Sequence, residues 1–276
     1  MIDLVSALPA LEAKIRRLSA LLAPCDRIGI AFSGGVDSSL LAWFAHAWLK
    51  KKVFVFFAES GFASGTDRRN AVRVAEEIGL PLEIVPVDVF SIEALRDNPP
   101  RRCYFCKKEL LSRIRMKAAE SGCDILFDGS HAGDALGYRP GKQALEESGV
   151  VSPLAEAGLD KDDIRRISRI ARLSTWDRPT QSCLATRIPY GVRLTAELLS
   201  AVDRGEDFLR TLGCAQVRVR VHGELARIEV DPPSLPVIMR DGNRTEAVRV
   251  FKALGFKFVT VDLAGFRSGS WDEGLH

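Results

Sequence analysis

The chain has 276 residues, with 39 Lys plus Arg against 36 Asp plus Glu and a formal net charge of +3. That length supports a full core and two domains, while balanced, interspersed charge argues against the basic footprint of a nucleic-acid binder. No run of about 18 apolar residues suggests a membrane span, and Met1-Ile2-Asp3 opens without the basic and apolar regions of a secretory signal. The six cysteines (25, 103, 106, 123, 183 and 214) are too few and too scattered for a disulfide scaffold. They point to a reducing cytoplasm, with thiols kept for chemistry or metal.

Leu11, Ile15, Leu18 and Leu22 recur at helical spacing and predict an amphipathic helix ending before Pro24. An apolar strand from Arg27 runs into Ser33-Gly-Gly-Val-Asp-Ser-Ser39, where a second helical pattern opens (Leu40, Leu41, Trp43, Phe44, Ala47, Trp48). Val53 to Ala58 is wholly apolar, as a strand covered on both faces should be. A helix over Arg68 to Ile78 and a strand over Leu82 to Val87 follow. Next come a basic-surfaced helix over Cys106 to Ala119 and a fourth strand, Asp124 to Asp128, ending in Gly129-Ser130. Strands alternating with helices predict an α/β fold with a doubly wound parallel sheet, which binds ligands beyond the strands' carboxyl ends.

From Tyr138 to Gly191 the prolines 140, 153, 179 and 189 break the chain, and one helix, Asp160 to Arg172, interrupts them with Asp160 as its N-cap. This stretch reads as wall and lid of the first domain's site. A helix over Thr195 to Leu212 then leads into a hairpin, Val217 to His222 and Ala226 to Asp231. One hairpin face is apolar, and the other carries Arg218, Arg220, His222, Arg227, Glu229 and Asp231. A helix over Arg244 to Leu254 and a strand over Phe256 to Leu263 complete a small α+β domain. The expected domains are 1–190 and 191–276.

Ser33, Gly34 and Gly35 have little or no side chain, so backbone N–H groups can close around a phosphate there. Val36, Asp37, Ser38 and Ser39 form a first helical turn whose unpaired N–H groups attract an anion. No Gly-Lys-Ser/Thr follows, so the Walker pattern is excluded. The spacing resembles the SGGxDS pyrophosphate loop of ATP pyrophosphatases, which adenylate a substrate and release pyrophosphate. Asp37 reads as a loop stabiliser or indirect metal contact. Glu59 ends the second strand, where the adenosine should lie, without an assignable role.

Cys103-Tyr-Phe-Cys106 is a C-x-x-C, open to three readings: half a zinc site, a redox pair or incidental thiols. No second C-x-x-C or His pair completes a zinc set. With Cys183, three thiolates would suit an iron–sulfur cluster with one open iron. Basic neighbours (Arg101, Arg102, Lys107, Lys108, Arg187) favour thiolates. Cys25, Cys123 and Cys214 adjoin strands and read as core residues. Arg218 and Arg220 project from one face of a strand, which suits a phosphate, or else a solvated face making exposed ion pairs.

Taken together, these motifs resemble the sulfur transferases of the LarE type, which build the sulfur groups of the nickel-pincer nucleotide cofactor of lactate racemase. The match is carried by Ser33-Gly-Gly-Val-Asp-Ser38, Arg102-Cys-Tyr-Phe-Cys-Lys107, Asp128-Gly-Ser130 and Tyr138-Arg-Pro-Gly141. It continues in Gly149-Val-Val-Ser-Pro-Leu154, Cys183-Leu-Ala-Thr-Arg-Ile-Pro-Tyr-Gly191 and Gly265-Phe-Arg-Ser-Gly269, covering essentially the whole chain. The resemblance implies that ATP, with Mg²⁺, adenylates a carboxylate of a pyridinium dicarboxylate mononucleotide. A cysteine thiolate then displaces AMP, and cleavage of its carbon–sulfur bond leaves sulfur on the product. That sacrificial cysteine maps to Cys183. Lys107 and Arg187 fall where the family places substrate or phosphate contacts. Glu206, Arg218, Arg220 and Glu229 fall where it binds phosphate or metal.

Some family members carry only the sacrificial cysteine. Others pair it with the C-x-x-C, so that by analogy Cys103, Cys106 and Cys183 would hold a 4Fe–4S cluster whose open iron binds a sulfide. The family also implies a homohexamer and hand-over to other enzymes of the cofactor's synthesis. Rival readings are a tRNA thiolation enzyme, which would bring an RNA-binding domain, and an ammonia-dependent adenylating ligase, which would not need Cys183. A non-enzymatic nucleotide-binding or metal-storage module is the remaining class.

Overall fold

A computed structural model describes residues 4–135, 140–179 and 181–267. Contacts divide the chain into two compact units. The first comprises residues 1–60, 65–87 and 101–181; the second gathers 61–64, 88–100 and 182–276. Residues 182–190, expected with the first domain, thus belong with the second unit, as do two short excursions from the first half of the chain.

The first unit is built on a parallel four-stranded sheet: β1 Arg27–Ala31, β2 Lys52–Ser60, β3 Leu82–Val87 and β4 Ile125–Phe127. In β1, Ile28 and Ile30 are fully buried, matching the two-sided cover that a parallel sheet requires. The order is β3-β2-β1-β4, so the chain steps outward from β1 and then returns to its other side. Register runs Ile28↔Val53 and Ile30↔Val55 on one side of β1 and Ile28↔Ile125 on the other. The order therefore reverses between β1 and β4, and a doubly wound sheet opens its ligand crevice at that switch point. The loops after β1 and β4 both emerge there. A parallel bridge from Phe127 to Val151 brings a further segment alongside β4.

Helices cover the sheet. Glu12–Leu22 buries Ile15, Leu18 and Leu22, and Gly65–Ile78 buries Ala71, Val74, Ala75 and Ile78, both as periodicity predicts. The basic helix is longer than expected, Arg102–Glu120, and includes both cysteines of the C-x-x-C. The proline-broken stretch holds more helix than the sequence suggested. Helices Pro140–Ser148 and Pro153–Glu156 begin at their prolines, where the missing N–H costs nothing and the fixed φ suits the first turn. Lys161–Ile170 starts on a capping box in which the Asp160 side chain accepts from the Asp163 N–H and the Asp163 side chain accepts from that of Asp160. Tyr138, Arg139, Thr180, Ser268 and Gly269 lie outside the described residues.

The second unit has a three-stranded sheet ordered β5-β6-β7: Val217–His222, Leu225–Val230 and Phe258–Val261. β5 and β6 form the expected antiparallel hairpin, with Val219 opposite Ile228 and Arg220 opposite Arg227, and β7 runs parallel to β6. Helices Ala196–Thr211, capped by the Thr195 hydroxyl, and Asp241–Ala253 belong to this unit. Its excursion 88–100 is tied in by Asn98, fully buried, whose amide donates to the carbonyls of Ile188 (3.1 Å) and Pro189 (2.7 Å). No helix among the described residues is long and apolar enough to cross a membrane.

Candidate active site

In the first unit, β1 delivers the loop Ser33–Gly35 to the start of the helix Val36–Trp43. Gly35 is the N-cap, and no side chain caps the turn, so its first N–H groups remain for an anion. The loop is braced from within. Ser33 and Ser38 hydroxyls lie 3.2 Å apart, the Ser33 N–H donates to the Ser38 hydroxyl at 3.2 Å, and the Gly35 N–H reaches the Ser33 hydroxyl at 3.3 Å.

Two glycines are required by geometry. Gly34 takes φ +70°, and a Cβ there would lie 2.7 Å from the Ala71 Cα. At Gly129 a Cβ would lie 2.8 Å from the Ser38 nitrogen, so only glycine lets the β4 loop close on the first helical turn. Asp128, Gly129 and Ser130 thereby meet the 33–38 loop, as expected of two strand ends at a switch point. The Ser39 amide donates to the Gly35 carbonyl, and its side chain is fully buried with no hydrogen-bond partner for the hydroxyl among the described residues. Val36 is buried too, leaving only its backbone for a ligand.

Asp128 is a buried hub. Its carboxylate accepts from the hydroxyls of Ser152 (2.5 Å) and Ser130 (2.6 Å) and from the Ser130 N–H (3.2 Å). Lys107 Nζ stands 3.4 Å away, a looser contact that leaves its ammonium partly exposed toward the same strand end. Sequence reasoning left Ser152 without a role. It sits next to the Val151 bridge, and its only signal in the sequence is its place in the Gly149–Leu154 motif. Lys161 was also missed, although its Nζ lies 2.8 and 2.7 Å from the two Asp37 carboxylate oxygens, 124 positions away in sequence. Glu59 pairs with Arg68 at 2.6 Å, an exposed contact.

Cys103 and Cys106 lie one turn apart in the opening of the helix Arg102–Glu120, Cys103 exposed and Cys106 half-buried. All six cysteines are free thiols. Burial pushes the Cys25, Cys123 and Cys214 thiols up; Cys214 lies in the core as expected, whereas Cys25 and Cys123 are only half-buried. Among the described residues no three His, Cys, Asp or Glu side chains form a group able to hold a metal ion. The C-x-x-C thus offers two of the three thiolates expected for a cluster, and the third, Cys183, belongs to the other unit.

In the second unit, Cys183 precedes the short turn Leu184–Arg187, which Arg187 fastens. Arg187 is fully buried and meets Glu206 fork to fork, Nε to Oε1 at 2.7 Å and Nη2 to Oε2 at 3.0 Å. Its Nη1 reaches the carbonyls of Ser182 (2.8 Å) and Cys183 (3.0 Å) and the hydroxyls of Ser182 and Thr186. Every nitrogen is engaged by protein, so Arg187 holds the cysteine's peptide where a substrate contact was expected. Glu206 also accepts from Arg210 at 3.0 Å and from the Val219 N–H at 3.0 Å. Four donors occupy its two oxygens, which leaves no lone pair for the expected metal. Burial works to raise its carboxyl, but the Arg187 charge and hydrogen bonds prevail and hold it below the usual carboxylate range.

The polar hairpin face is buried at three of its residues, whereas His222 is exposed and Arg227 and Asp231 are half-buried. Arg218, Arg220 and Glu229 are each at most 5 % exposed. Arg220 pairs with Glu229 at 3.1 Å and donates to the Thr186 carbonyl at 2.6 Å, while Arg218 lies over the Phe266 ring at 5.1 Å. Burial, reinforced by the nearby Arg187 charge, lowers the Arg218 guanidinium to about 10. Arg187, Arg210, Arg218 and Arg220 thus crowd around Glu206 and Glu229, an excess of cation that an anion would relieve.

Comparison with known proteins then places the chain. The NAD synthase family model matches residues 23–122, the stretch that carries the loop and the C-x-x-C. A pyridinium-3,5-bisthiocarboxylic acid mononucleotide synthase of Lactiplantibacillus plantarum is 34% identical over 266 residues, covering 96% of both chains. The chain belongs to the LarE family of sulfur transferases. Its fold is the PP-loop α/β fold that this family shares with other ATP-using enzymes. An uncharacterised protein of Synechocystis is 40% identical over 96% of this chain and 99% of its own length. Another, from Methanocaldococcus jannaschii, is 30% identical over 88% of this chain and 91% of its own. The enzyme is an ATP-using sulfurtransferase, as its family and its loop agree.

Proposed function

We propose that this enzyme adenylates a carboxylate of pyridinium-3,5-biscarboxylic acid mononucleotide and replaces it with a thiocarboxylate, using the sulfur of Cys183. The observation that carries this reading is 34% identity, over 96% of both chains, with a protein named as the pyridinium-3,5-bisthiocarboxylic acid mononucleotide synthase. A carboxylate is a poor acylating agent. Attack of its oxygen on the α-phosphorus of ATP forms an acyl adenylate and releases pyrophosphate, whose charge the N–H groups opening at Val36, together with Mg²⁺, stabilise. The Cys183 thiolate then attacks the acyl carbon and AMP leaves, giving a thioester. Loss of the cysteine's Hα with cleavage of its Cβ–Sγ bond leaves dehydroalanine in the chain and sulfur on the product. The substrate's phosphate suits the buried cationic face of Arg218 and Arg220, with Glu229 fixing Arg220.

The C-x-x-C favours a second version of the sulfur source. In it Cys103, Cys106 and Cys183 hold a 4Fe–4S cluster, which would supply a sulfide and spare Cys183. Anaerobic reconstitution decides between them. The cluster version expects a brown chromophore and about four irons per chain, and their absence with intact thiols excludes it. The sacrificial version expects Cys183 to lose the mass of one H₂S after a turnover. Cys183→Ala should abolish sulfur transfer, and full activity in that variant would overturn both versions. The reading carries a cytoplasmic setting, delivery of product to other enzymes of nickel-pincer cofactor synthesis, and a homohexamer.

A further inference from the structure

The hairpin and β7 share one face that changes character along its length. Their register sets three rungs on it: Arg218 with Glu229, then Arg220 with Arg227 and Thr260, then His222 with Leu225 and Phe258. At the first rung both residues are buried, and Arg218 lies over the Phe266 ring. At the second, Arg220 is buried and Arg227 half-buried. The third rung is open, with Leu225 half-buried and Phe258 61 % exposed. Phe258 is nonetheless held in place. Its N–H donates to the Glu224 carbonyl at 3.2 Å, beside the Lys257 N–H at 2.9 Å.

The cations of this face are drawn together. Arg220 Nε reaches Glu229 at 3.1 Å and Arg227 Nη2 reaches it at 2.9 Å, so both guanidinium groups converge over β6. Phe258 lies one rung and one strand from Arg227, about 6.7 Å along the strand and about 4.8 Å across it. A ribose bridges such a gap between a 5′-phosphate and its ring. A positively charged ring laid on Phe258 gains from the electron-rich π face, whereas the guanidinium groups would repel it. The face therefore sorts the two ends of a pyridinium nucleotide, phosphate inward and ring outward.

We propose that Phe258, beside its strand partner Leu225, is the platform on which the pyridinium ring of the substrate rests, a specificity-determining contact that separates pyridinium mononucleotides from other sugar phosphates. This rests on the reading that Arg218 and Arg220 hold the substrate's phosphate.

The test is calorimetric titration of the full chain with nicotinic acid mononucleotide, a pyridinium carboxylate, and with ribose 5-phosphate, which lacks the ring. Phe258→Ala should weaken the mononucleotide about fivefold to thirtyfold and leave ribose 5-phosphate unchanged, and Phe258→Tyr should recover the loss. Arg218→Gln should weaken both ligands alike. Thermal melts check folding, with Phe258→Leu as a second variant if alanine fails to fold. Unchanged affinity of Phe258→Ala for the mononucleotide, or an equal loss for both ligands, overturns the proposal. So does an altered oligomeric state with affinity unaltered, which would give Phe258 to an interface between copies of the chain. A wild type that binds neither ligand, or an Arg218→Gln variant that binds both as tightly as wild type, overturns the phosphate reading on which the proposal stands.

Discussion

Arg187 and Glu206 form a two-bond ion pair from which water is shut out on both sides, at 2.7 and 3.0 Å. The same guanidinium grips the peptide of Cys183. Removing one partner from such a pair leaves an uncompensated buried charge, worth about 3–5 kcal/mol. Glu206→Gln should lower stability by that order in a urea titration, since Arg187, Arg210 and Arg218 then repel one another. Arg187→Lys should fare little better, because a point charge cannot reproduce the fork. Replacing both residues with apolar ones of similar size should recover part of the loss.

Acid should unfasten the same pair. The Glu206 carboxyl is held below its unfolded value, which lies near ~4.3. Its contribution is therefore fully present above about pH 4.3 and fades as pH falls through the lower, folded value. The urea midpoint should drop on that acid limb, and Glu206→Gln should flatten the drop.

The sequence foretold the parallel sheet because fully apolar runs alternate with amphipathic helices, and short-range patterning reports that directly. It left the hairpin's second face open between a phosphate site and a solvated surface. Strict alternation in Val217–His222 says only that two faces differ, and a charged face reads as solvated until its partners are known. Those partners, Glu206 and the turn at Thr186, are remote in sequence. Pro140 and Pro153 read as breaks because a proline that starts a helix and one that ends it look alike without the following turn. Lys161 carried no signal at all, since an ion pair across 124 positions follows no spacing.

Gly129→Ala should damage nucleotide handling without touching any catalytic side chain. The added methyl would meet the Ser38 nitrogen at 2.8 Å, and backbone cannot swing away as a side chain would. Displacing the first helical turn by a fraction of an ångström should cost about a hundredfold in kcat/KM for ATP. Steady-state kinetics of pyrophosphate release measure it.

Phosphate should stabilise the protein. Burial and cationic neighbours lower Arg218 to about 10, and a bound anion would offset both. At a hundred times its Kd, inorganic phosphate should add about 2.7 kcal/mol, seen as a rise in Tm. Arg218→Gln should shrink that rise; an equal rise in the variant would place the phosphate elsewhere.

The unit that carries Cys183 is assembled from pieces that the gene keeps apart. Its residues 61–64 and 88–100 are encoded within the nucleotide-binding half, and Asn98 from the second piece holds Ile188 and Pro189 in place. No single cut separates the two units intact. A fragment starting at Ser182 would lose the amide that anchors its own chain just beyond Cys183, and a chimaera joined there would inherit the same gap. The segment around Cys183 and the 33–39 loop are therefore bound to travel together when this gene is recombined, as one heritable block.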